Sequence, residues 1–495
     1  MDLVTGSPFS TTMQRASVIG SGPNGLSAAI VLAKAGLRVE VFEAEAEAGG
    51  AARTLPLTLP GFLHDFGSAV HPFAAGSPFF STLPLAEFGL EWIHGEAPLA
   101  HPLDDGTAVV LERDLDETER ALGEDGKTWR QLIEPAADNW REFAEDSLGP
   151  VLRIPRHPLR MARFGLSALE SAQAFARSHF GSPRTRAVFA GLAGHSCLSF
   201  DRPLSAAIGL MLGITVHAVG WPIPRGGAGA IPQALAGYLN TLGGTVHTAR
   251  GIDAAGFREL DRGSALVLFD TAPRQLLAIA GERLRPGYRR ALKRFQHGPG
   301  AFKIDYALSE PVPWRAPECR RAITVHLGGT LEEIAASEDA VARGRVAERP
   351  FVLAAQPTIF DGSRAPKGKH VLWAYCHVPN GAIFDSGCDI TERIEAQIER
   401  FAPGFRDCVL ARHVSPPAVL EAMDANLVGG DVSGGAMTLR QFFIRPALRG
   451  YSTGTPNLYL CSASTPPGGG VHGMCGYHAA QLALRRLKKR SLGQA

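Results

Sequence analysis

The sequence predicts an α/β fold with two domains, the first of them discontinuous along the chain. Three observations predict it. A short β-rich segment leads into a glycine-rich turn and a helical pattern within residues 17–33, a second such segment ends in an acidic residue at position 43, and a run of glycines from position 468 opens another helical pattern. At 495 residues, the chain is also longer than one compact core accommodates.

The composition is that of an ordinary globular protein. Hydrophobic residues make up 45% of the chain, charged residues make up 20%, and the formal net charge is +2. This balance excludes a disordered chain and gives no strongly basic surface, so we expect no nucleic acid as a partner. No stretch has the pattern of a signal peptide or the length of a membrane span. We therefore expect a cytoplasmic protein whose residues 1–13 form a loose leader.

The cysteines support a reducing compartment. They are odd in number, scattered, and never arranged as Cys-x-x-Cys, which argues against a disulfide framework, a dithiol redox centre or a structural metal site. We expect no metal ion. The seven positions are Cys197, Cys319, Cys376, Cys388, Cys408, Cys461 and Cys475.

The first glycine-rich turn follows the order strand, turn, helix of a nucleotide-binding βαβ unit. Gly20 permits the tight turn, Gly22 allows backbone N–H groups to approach a pyrophosphate, and Gly25 allows the helix to pack against its strand. Gly36 ends that helix. The pattern predicts a Rossmann-like domain whose turn binds a dinucleotide through Gly20, Gly22, Pro23, Asn24 and Gly25.

The second strand identifies the dinucleotide. It ends in Glu43, 23 positions after Gly20, where a carboxylate accepts hydrogen bonds from both ribose hydroxyls. Gly49, Gly50 and Arg53 follow at once and resemble the second signature of flavoproteins, in which the chain passes along the ribityl and pyrophosphate of FAD. We therefore predict FAD as the cofactor.

Two later segments complete the predicted cofactor domain. Residues 221–247 read as a turn, a helix and a strand that returns to the first sheet, with Val246 as a candidate contact for the adenine end. Near the C-terminus, a buried strand at 457–461 precedes a glycine run and a helix from about Tyr477 to Leu487. Backbone amides at such a helix start suit the electron-rich pyrimidine edge of a flavin. The predicted contacts there are Gly469, Gly470, Val471 and Met474, and His472 lies inside the same loop.

Together these segments resemble the phytoene desaturase, carotenoid isomerase and retinol saturase superfamily of FAD-dependent oxidoreductases. Within it, the closest resemblance is to the phytoene-dehydrogenase-like branch that includes an animal mitochondrial homologue. The resemblance covers nearly the whole chain. It departs at Ser462 and Ser464, where relatives usually carry glycine, and at Pro466, where many carry histidine. The segments that carry it are Gly61-Phe62, Gly429-Gly430-Asp431 to Gln441, Arg445-Pro446 and Gly468-Gly469-Gly470-Val471.

The resemblance implies a discontinuous FAD-binding domain with an inserted mixed α+β substrate domain over the flavin. We expect the FAD-binding domain to comprise residues 14–110, 220–300 and 440–490, and the substrate domain to comprise 111–219 and 301–439. It also implies that His195 and His217 occupy positions that face the flavin in relatives, which makes them the candidate catalytic residues. Asp65 and His71 are expected to make local hydrogen bonds in a turn.

The function implied is desaturation, saturation or isomerisation of an apolar, polyene or isoprenoid-like substrate by hydride exchange with the flavin. No second Gly-x-Gly-x-x-Gly turn with its own helix and acid is present, so the sequence offers no separate NAD(P)H site. Two alternatives remain open. One is a flavin amine oxidase, because that superfamily shares the domain plan, and the other is a non-catalytic partner protein stabilised by FAD.

A basic segment at 151–180 suggests a surface role. Its arginines alternate with apolar residues, and Pro155 and Pro158 delay the start of the helix to about Pro158. A basic amphipathic helix of this kind predicts either a peripheral membrane contact that admits an apolar substrate or an ordinary helix with a solvated basic face. The oligomeric state stays open. The arginines are Arg153, Arg156, Arg160 and Arg163.

Overall fold

A computed structural model describes residues 13–384 and 389–493 of the protein, with side chains given to residue 490. Most of the predicted leader and Cys388 lie outside these residues. The strands are β1 (Arg15–Ile19), β2 (Arg38–Phe42), β3 (Thr54–Leu55), β4 (His64–Asp65), β5 (Trp92–Ile93), β6 (Ala97–Pro102), β7 (Ala108–Leu111), β8 (Ile223–Pro224), β9 (Thr245–His247), β10 (Leu266–Phe269), β11 (Gly300–Leu308), β12 (Ala322–Leu327), β13 (Val352–Ala355), β14 (His370–Val378), β15 (Val409–Ser415) and β16 (Leu458–Leu460).

Helices fill the connections between these strands. They are α1 (Pro23–Lys34), α2 (Pro72–Ala75), α3 (Leu115–Leu122), α4 (Gly126–Ala137), α5 (Trp140–Ser147), α6 (Pro158–Ala168), α7 (Ala172–His179), α8 (Pro183–Gly194), α9 (Ser205–Ala218), α10 (Ala230–Thr241), α11 (Ala254–Gly263), α12 (Pro273–Ala280), α13 (Pro286–Lys293), α14 (Leu331–Ala342), α15 (Ile390–Phe401), α16 (Phe405–Cys408), α17 (Pro417–Met423), α18 (Leu439–Phe443) and α19 (Met474–Gly493). In the described part of the chain, no helix is long and apolar enough to cross a membrane.

The first sheet is the Rossmann-like sheet that the sequence predicts. Its five strands run parallel in the order β16-β10-β1-β2-β9. Both faces are covered, one by a core that includes α1, α10 and α19 and the other by a core that includes α11, α12 and α13. Apolar runs in the strands follow from burial on both sides. The predicted return of the 245–247 strand to this sheet is confirmed, because β9 pairs with β2.

The second sheet is mixed and has seven strands in the order β15-β11-β14-β13-β12-β6-β7. Neighbouring strands are antiparallel except β12 and β6, which run parallel. Strands β6 and β7 lie at the end of the segment 14–110 that the sequence assigns to the FAD-binding domain, yet they pair here. Their β-rich character is the same in either sheet, and only the long-range pairing with β12 decides their place.

Candidate active site

The predicted glycine turn leaves space for nothing larger than hydrogen where it bends. A Cβ atom on Gly25 would lie 2.2 Å from the Gly20 carbonyl oxygen, and one on Gly22 would lie 2.6 Å from Oδ2 of Asp270. Gly20 has a φ of +98°, which favours glycine. The Gly25 N–H donates to Asp270 Oδ2 at 2.8 Å. The turn is therefore built as a close backbone cradle at the N-terminus of α1.

Ser21 connects the first three predicted cofactor segments, which are the glycine turn, the end of β2 and the Gly49 loop, and the sequence analysis missed it. Its N–H and hydroxyl donate to Glu43 Oε2 at 2.9 and 2.5 Å, and its Oγ accepts from the Gly49 N–H at 3.2 Å. Gly50 lies so close that a Cβ there would be 3.4 Å from the Gly22 Cα. A small hydroxyl residue between the first two glycines is the signal that could have predicted this bridge.

The C-terminal glycine loop meets the same turn because α19 packs against α1. A Cβ on Gly476 would lie 1.8 Å from the Asn24 carbonyl oxygen, so the two helices are in backbone contact. Within the loop, Gly470 has a φ of +135° and Val471, although not glycine, has a φ of +58°. These values show that the loop holds an unusual backbone conformation next to the helix start.

One cavity of about 420 Å³ connects the glycine segments with an apolar wall. The Asn24 Oδ1 atom is buried on it without a hydrogen-bond partner, which suits a polar ligand at this end. Of the predicted cofactor contacts, the cavity is lined by Gly22, Pro23, Asn24, Gly50, Gly469, Gly470 and Val471. Its apolar wall includes Phe66, Phe73, Ile208, Leu212, Trp221, Leu353, Trp373, Tyr375, Leu420 and Leu427.

The remaining predicted cofactor residues stand behind this lining. Arg53 donates to the Met423 carbonyl at 2.7 Å, and its guanidinium lies 5.0 Å from the Phe66 ring centroid, so it braces two loops. Val246 pairs with Val41 in the Rossmann-like sheet, and Met474 is buried at the first turn of α19. Four further predicted contacts form the turn or hold it in place without lining the cavity: Gly20, Gly25, Glu43 and Gly49.

The two candidate catalytic histidines occupy different environments. His195 lines the cavity, with its Nε2 atom 3.0 Å from Nε2 of His326. Burial lowers the pKa of His195 to about 3, and His377 acts in the same direction. His217 is not part of the cavity wall. Its Nε2 accepts from the Trp129 indole at 3.0 Å and its Nδ1 donates to the Arg113 carbonyl at 3.2 Å, which is a packing role.

His71 stands on the cavity wall, and its ring is only 2% exposed. The Ser68 backbone acts on the ring, as expected for a local turn, although the contact does not have the geometry of a regular hydrogen bond. Burial lowers its pKa to about 4. Asp65, by contrast, is paired with Arg364 at 2.9 Å and accepts from the Ala228 N–H at 2.7 Å. His71 thus presents a buried imidazole to the cavity.

A buried lysine on the same wall was also missed. Lys303 on β11 is 3% exposed, pairs with Asp305, and has its Nζ 6.0 Å from the Trp373 ring centroid. Burial lowers the pKa of Lys303 despite the Asp305 carboxylate, and burial raises the pKa of Asp305 to about 6. The pair can hold or release a proton next to the apolar wall. No local motif marks it, because the cavity forms only when β11 and β14 pair.

Asp270 follows β10 and faces the glycine turn. Burial, reinforced by the Asp424 and Glu43 carboxylates and opposed by the Gly25 hydrogen bond, raises the pKa of Asp270 to about 7. A carboxyl group that titrates near neutrality therefore lies beside the amides of the turn. Its negative form would oppose a phosphate there.

The basic segment forms the predicted helix, and α6 begins at Pro158 as expected. Its arginines do not present a free basic face, because they bind the neighbouring helices. Arg160 donates to Glu142 at 2.8 Å, Arg163 donates to the Gln131 carbonyl at 2.9 Å, and Arg156 pairs with Glu145. Five large apolar side chains of the segment are exposed beside these paired arginines: Leu152, Ile154, Leu159, Leu166 and Leu169.

Comparison with known proteins agrees with this architecture. Residues 18–81 match the family of NAD(P)-binding Rossmann-like domains. The chain is 26% identical to the rat protein named pyridine nucleotide-disulfide oxidoreductase domain-containing protein 2, with 96% of this chain and 94% of that protein covered. It is also 26% identical to the phytoene dehydrogenase of Streptomyces griseus, with 92% and 91% covered.

Solved structures share the fold along its whole length. An oxidoreductase from Methanosarcina mazei superposes with a TM-score of 0.62 at 18% identity, covering 95% of this chain and 100% of that one. A putrescine oxidase, in a study of redesigned cofactor binding, superposes with a TM-score of 0.59 at 16% identity, covering 96% and 99%. These comparisons confirm the predicted α/β fold class and support an oxidoreductase with a Rossmann-like domain.

Proposed function

We propose that the protein is an FAD-dependent oxidoreductase that desaturates, saturates or isomerises an apolar, polyene or isoprenoid-like compound. The observation that carries this proposal is one continuous cavity that is lined by glycine backbone at one end and by apolar side chains at the other. A ligand at the glycine end and a substrate at the apolar end would be in direct contact.

The hydrogen-bonding groups present fit FAD. The turn at Gly22 would approach the pyrophosphate, the Glu43 carboxylate retains lone pairs for ribose hydroxyls beside its bonds from Ser21 and Glu45, and Asn24 offers an unpaired oxygen. Bound FAD would supply a centre that accepts or returns a hydride. The amides of Gly469, Gly470 and Val471 would then face the pyrimidine edge of the flavin, where negative charge develops.

The chain's own residues at the apolar end define the chemistry. The aromatic and aliphatic wall excludes water and orients a hydrocarbon. His71, a buried imidazole on the cavity wall, and Lys303, with its lowered pKa, are the groups that can exchange a proton beside the substrate. We therefore assign proton handling to these two residues and to His195, and not to His217.

The first test releases the cofactor by heat and identifies it by chromatography. We expect FAD. The second is anaerobic mixing of the purified protein with carotenoid, isoprenoid and lipid extracts, where bleaching of the flavin and a product two hydrogens lighter would indicate desaturation. An isomer without bleaching would indicate isomerisation. Neither NADH nor NADPH is expected to bleach the flavin rapidly. A bound NAD in place of FAD would contradict the proposal.

An amine oxidase activity is the second candidate. Trp373 and Tyr375 stand side by side on the cavity wall with ring centroids 5.0 Å apart, an arrangement that could receive a neutral or cationic amine. The similarity to a putrescine oxidase favours the same test. Oxygen consumption with a panel of primary amines and diamines, compared with polyene extracts, decides between the two candidates.

The exposed apolar side chains of the α6 region support a peripheral membrane contact as part of this proposal. Ile154 is 92% exposed, Leu159 87% and Leu448 74%, and Leu152, Phe443 and Leu448 line one small surface pocket. Because the arginines are paired, we expect insertion of leucines rather than attraction of charges to dominate.

Sedimentation with anionic and neutral liposomes tests this contact. The double variant Leu159→Ser and Leu166→Ser should bind less, while Ile383→Ser, which removes an equally exposed apolar side chain elsewhere, should bind as the native protein does. Binding that persists in high salt fits the apolar mode. Absence of sedimentation at low and high salt would contradict it.

A further inference from the structure

Three side chains behind the cavity form a nucleophile, a base and an orienting acid. The Cys197 Sγ atom lies 3.2 Å from His377 Nε2, and His377 Nδ1 lies 3.0 Å from both carboxylate oxygens of Glu338. They come from the turn after α8, from β14 and from α14. This is the order of contacts that activates a thiol in nucleophilic catalysis.

The hydrogen bonds fix the direction in which the proton moves. A carboxylate only accepts, so His377 donates through Nδ1 and presents the lone pair of Nε2 to the thiol. Burial alone would lower the pKa of His377, but Cys197 and Glu338 hold it well above its usual range. Since His377 and Glu338 are only 3% and 2% exposed, water does not compete for these bonds. Transfer of the thiol proton to His377 leaves a thiolate, which is the reactive form.

The other described cysteines lack this arrangement. Cys319, Cys376, Cys408, Cys461 and Cys475 are buried, whereas Cys197 is partly exposed. Burial raises the pKa of Cys319 to about 12 and that of Cys475 to about 11. Cys197 also has a φ of +55°, a conformation that side chains other than glycine rarely adopt and that persists only where surrounding contacts impose it.

The thiol lies directly behind the cavity wall, of which Cys197 itself is not a part. Ser433, on the cavity wall, has its Oγ 3.6 Å from the Cys197 Sγ, and His195, two residues earlier in the chain, also lines the wall. Trp373, Tyr375 and His377 occupy every second position of β14 and therefore share one face of the strand. The ring centroids of Tyr375 and His377 are 5.5 Å apart. An apolar molecule in the cavity would therefore have to pass between Tyr375 and Ser433 to reach Cys197.

We propose that Cys197, activated by His377 and positioned through Glu338, is a covalent acceptor site for apolar α,β-unsaturated carbonyl compounds that enter the cavity. The thiolate adds to the β-carbon and forms a C–S bond while the C=C π bond shifts toward the carbonyl as an enolate. The enolate takes the proton of His377 Nε2 at its α-carbon. A thioether and a neutral histidine result, with no oxidant consumed. The site does not depend on the flavin reaction.

Alkylation of the purified holoprotein tests the activation of the thiol. Iodoacetamide at neutral pH should label Cys197 first, as located by peptide mass spectrometry, and Cys197→Ser should abolish that fast label. His377→Gln should slow it by about 10²-fold, the size of a lost general base. Glu338→Gln should slow it less. His217→Gln, which alters a partly buried histidine away from the cavity, should leave the rate unchanged.

Thermal unfolding of each variant, followed in parallel, separates loss of activation from loss of structure. If His377→Gln does not fold, the labelling rate of Glu338→Gln decides. Equal labelling rates in the native, His377→Gln and Glu338→Gln proteins would overturn the proposal.

The ligand class is tested with trans-2-decenal and its saturated analogue decanal. The unsaturated aldehyde should add its intact mass to Cys197, and decanal should leave no stable thioether. Prior filling of the cavity by an apolar competitor should slow the addition. Labelling by iodoacetamide without any adduct from trans-2-decenal would reject the proposed ligand class. None of these outcomes depends on finding the flavin substrate, so failure here and failure of the proposed function are distinguishable.

Discussion

The two ends of the cavity differ in the atoms that line them. The glycine end is made of backbone from short local motifs, and the apolar end is made of side chains from β11, β14, α9 and distant loops. At the first end, a Cβ atom is what the site cannot accept. At the second, the side chains are the site. A motif in the sequence can therefore specify the cofactor end, while the substrate end depends on long-range assembly.

Gly25→Ala should have the largest effect on cofactor binding, because it adds an atom at the closest backbone contact of the glycine end. The new Cβ would meet the Gly20 carbonyl 2.2 Å away, so the turn must open. We expect cofactor retention to fall by about tenfold to 10²-fold, in line with overpacking of about 1–3 kcal/mol. Gly287→Ala, at a helix start with open space, is the matched control for flavin content after dialysis.

Gly470→Val should alter the flavin more than it weakens binding. Its Cβ would lie 3.1 Å from Phe73 Cδ2 and from His472 Cδ2, and its φ of +135° disfavours any side chain. We expect a shifted flavin spectrum and a lower reduction potential, since the loop amides would withdraw from the ring. Gly454→Ala adds positive-φ strain without a close contact and serves as control. Identical redox titrations of variant and native protein would place the loop away from the flavin.

Asp270→Asn tests the charge at the backbone end. The pKa of Asp270 is raised to about 7, so in the native protein its carboxylate forms as pH rises through 7 and opposes the pyrophosphate. FAD affinity should fall by at most about tenfold per pH unit above 7, the limit for one proton, and the variant should lose this dependence. Titration of the apoprotein with FAD between pH 6 and 8.5 measures both curves.

The same carboxyl affects folding with a definite sign. Its folded pKa is above the ordinary value of 3.8, so the folded chain binds more protons than the unfolded chain between about pH 3.8 and 7. Its contribution therefore makes the protein less stable as pH rises through this window. Denaturant titrations should show that the free energy of unfolding of Asp270→Asn, relative to that of the native protein, increases with pH. A constant difference between the two proteins would contradict the raised pKa.

What the sequence predicts follows the same division. The Gly20 turn, β2, β9 and the helix after the Gly470 loop were all predicted, because strand periodicity and positive-φ glycines are local signals. The position of Lys303 on the cavity wall was not predicted, because it follows from the long-range pairing of β11 with β14. The sequence made His195 and His217 equal candidates for a catalytic residue, and only the packed structure shows that His195 lines the cavity while His217 does not.

The two histidines His71 and His217 give the last and smallest expected effects. His71 lies on the cavity wall and interacts only weakly with the Ser68 backbone, so His71→Ala should change the free energy of unfolding by at most about 1 kcal/mol. Its turnover should fall, because the variant lacks a group facing the substrate. His217→Ala leaves the Trp129 indole N–H without an acceptor in a buried position, which costs about 1–3 kcal/mol. Its turnover should stay near the native value. Denaturant unfolding and steady-state turnover of both variants check this crossed pattern. If His217→Ala instead lost turnover and kept stability, the apolar end would extend to His217, and the division between the two ends would have to be redrawn.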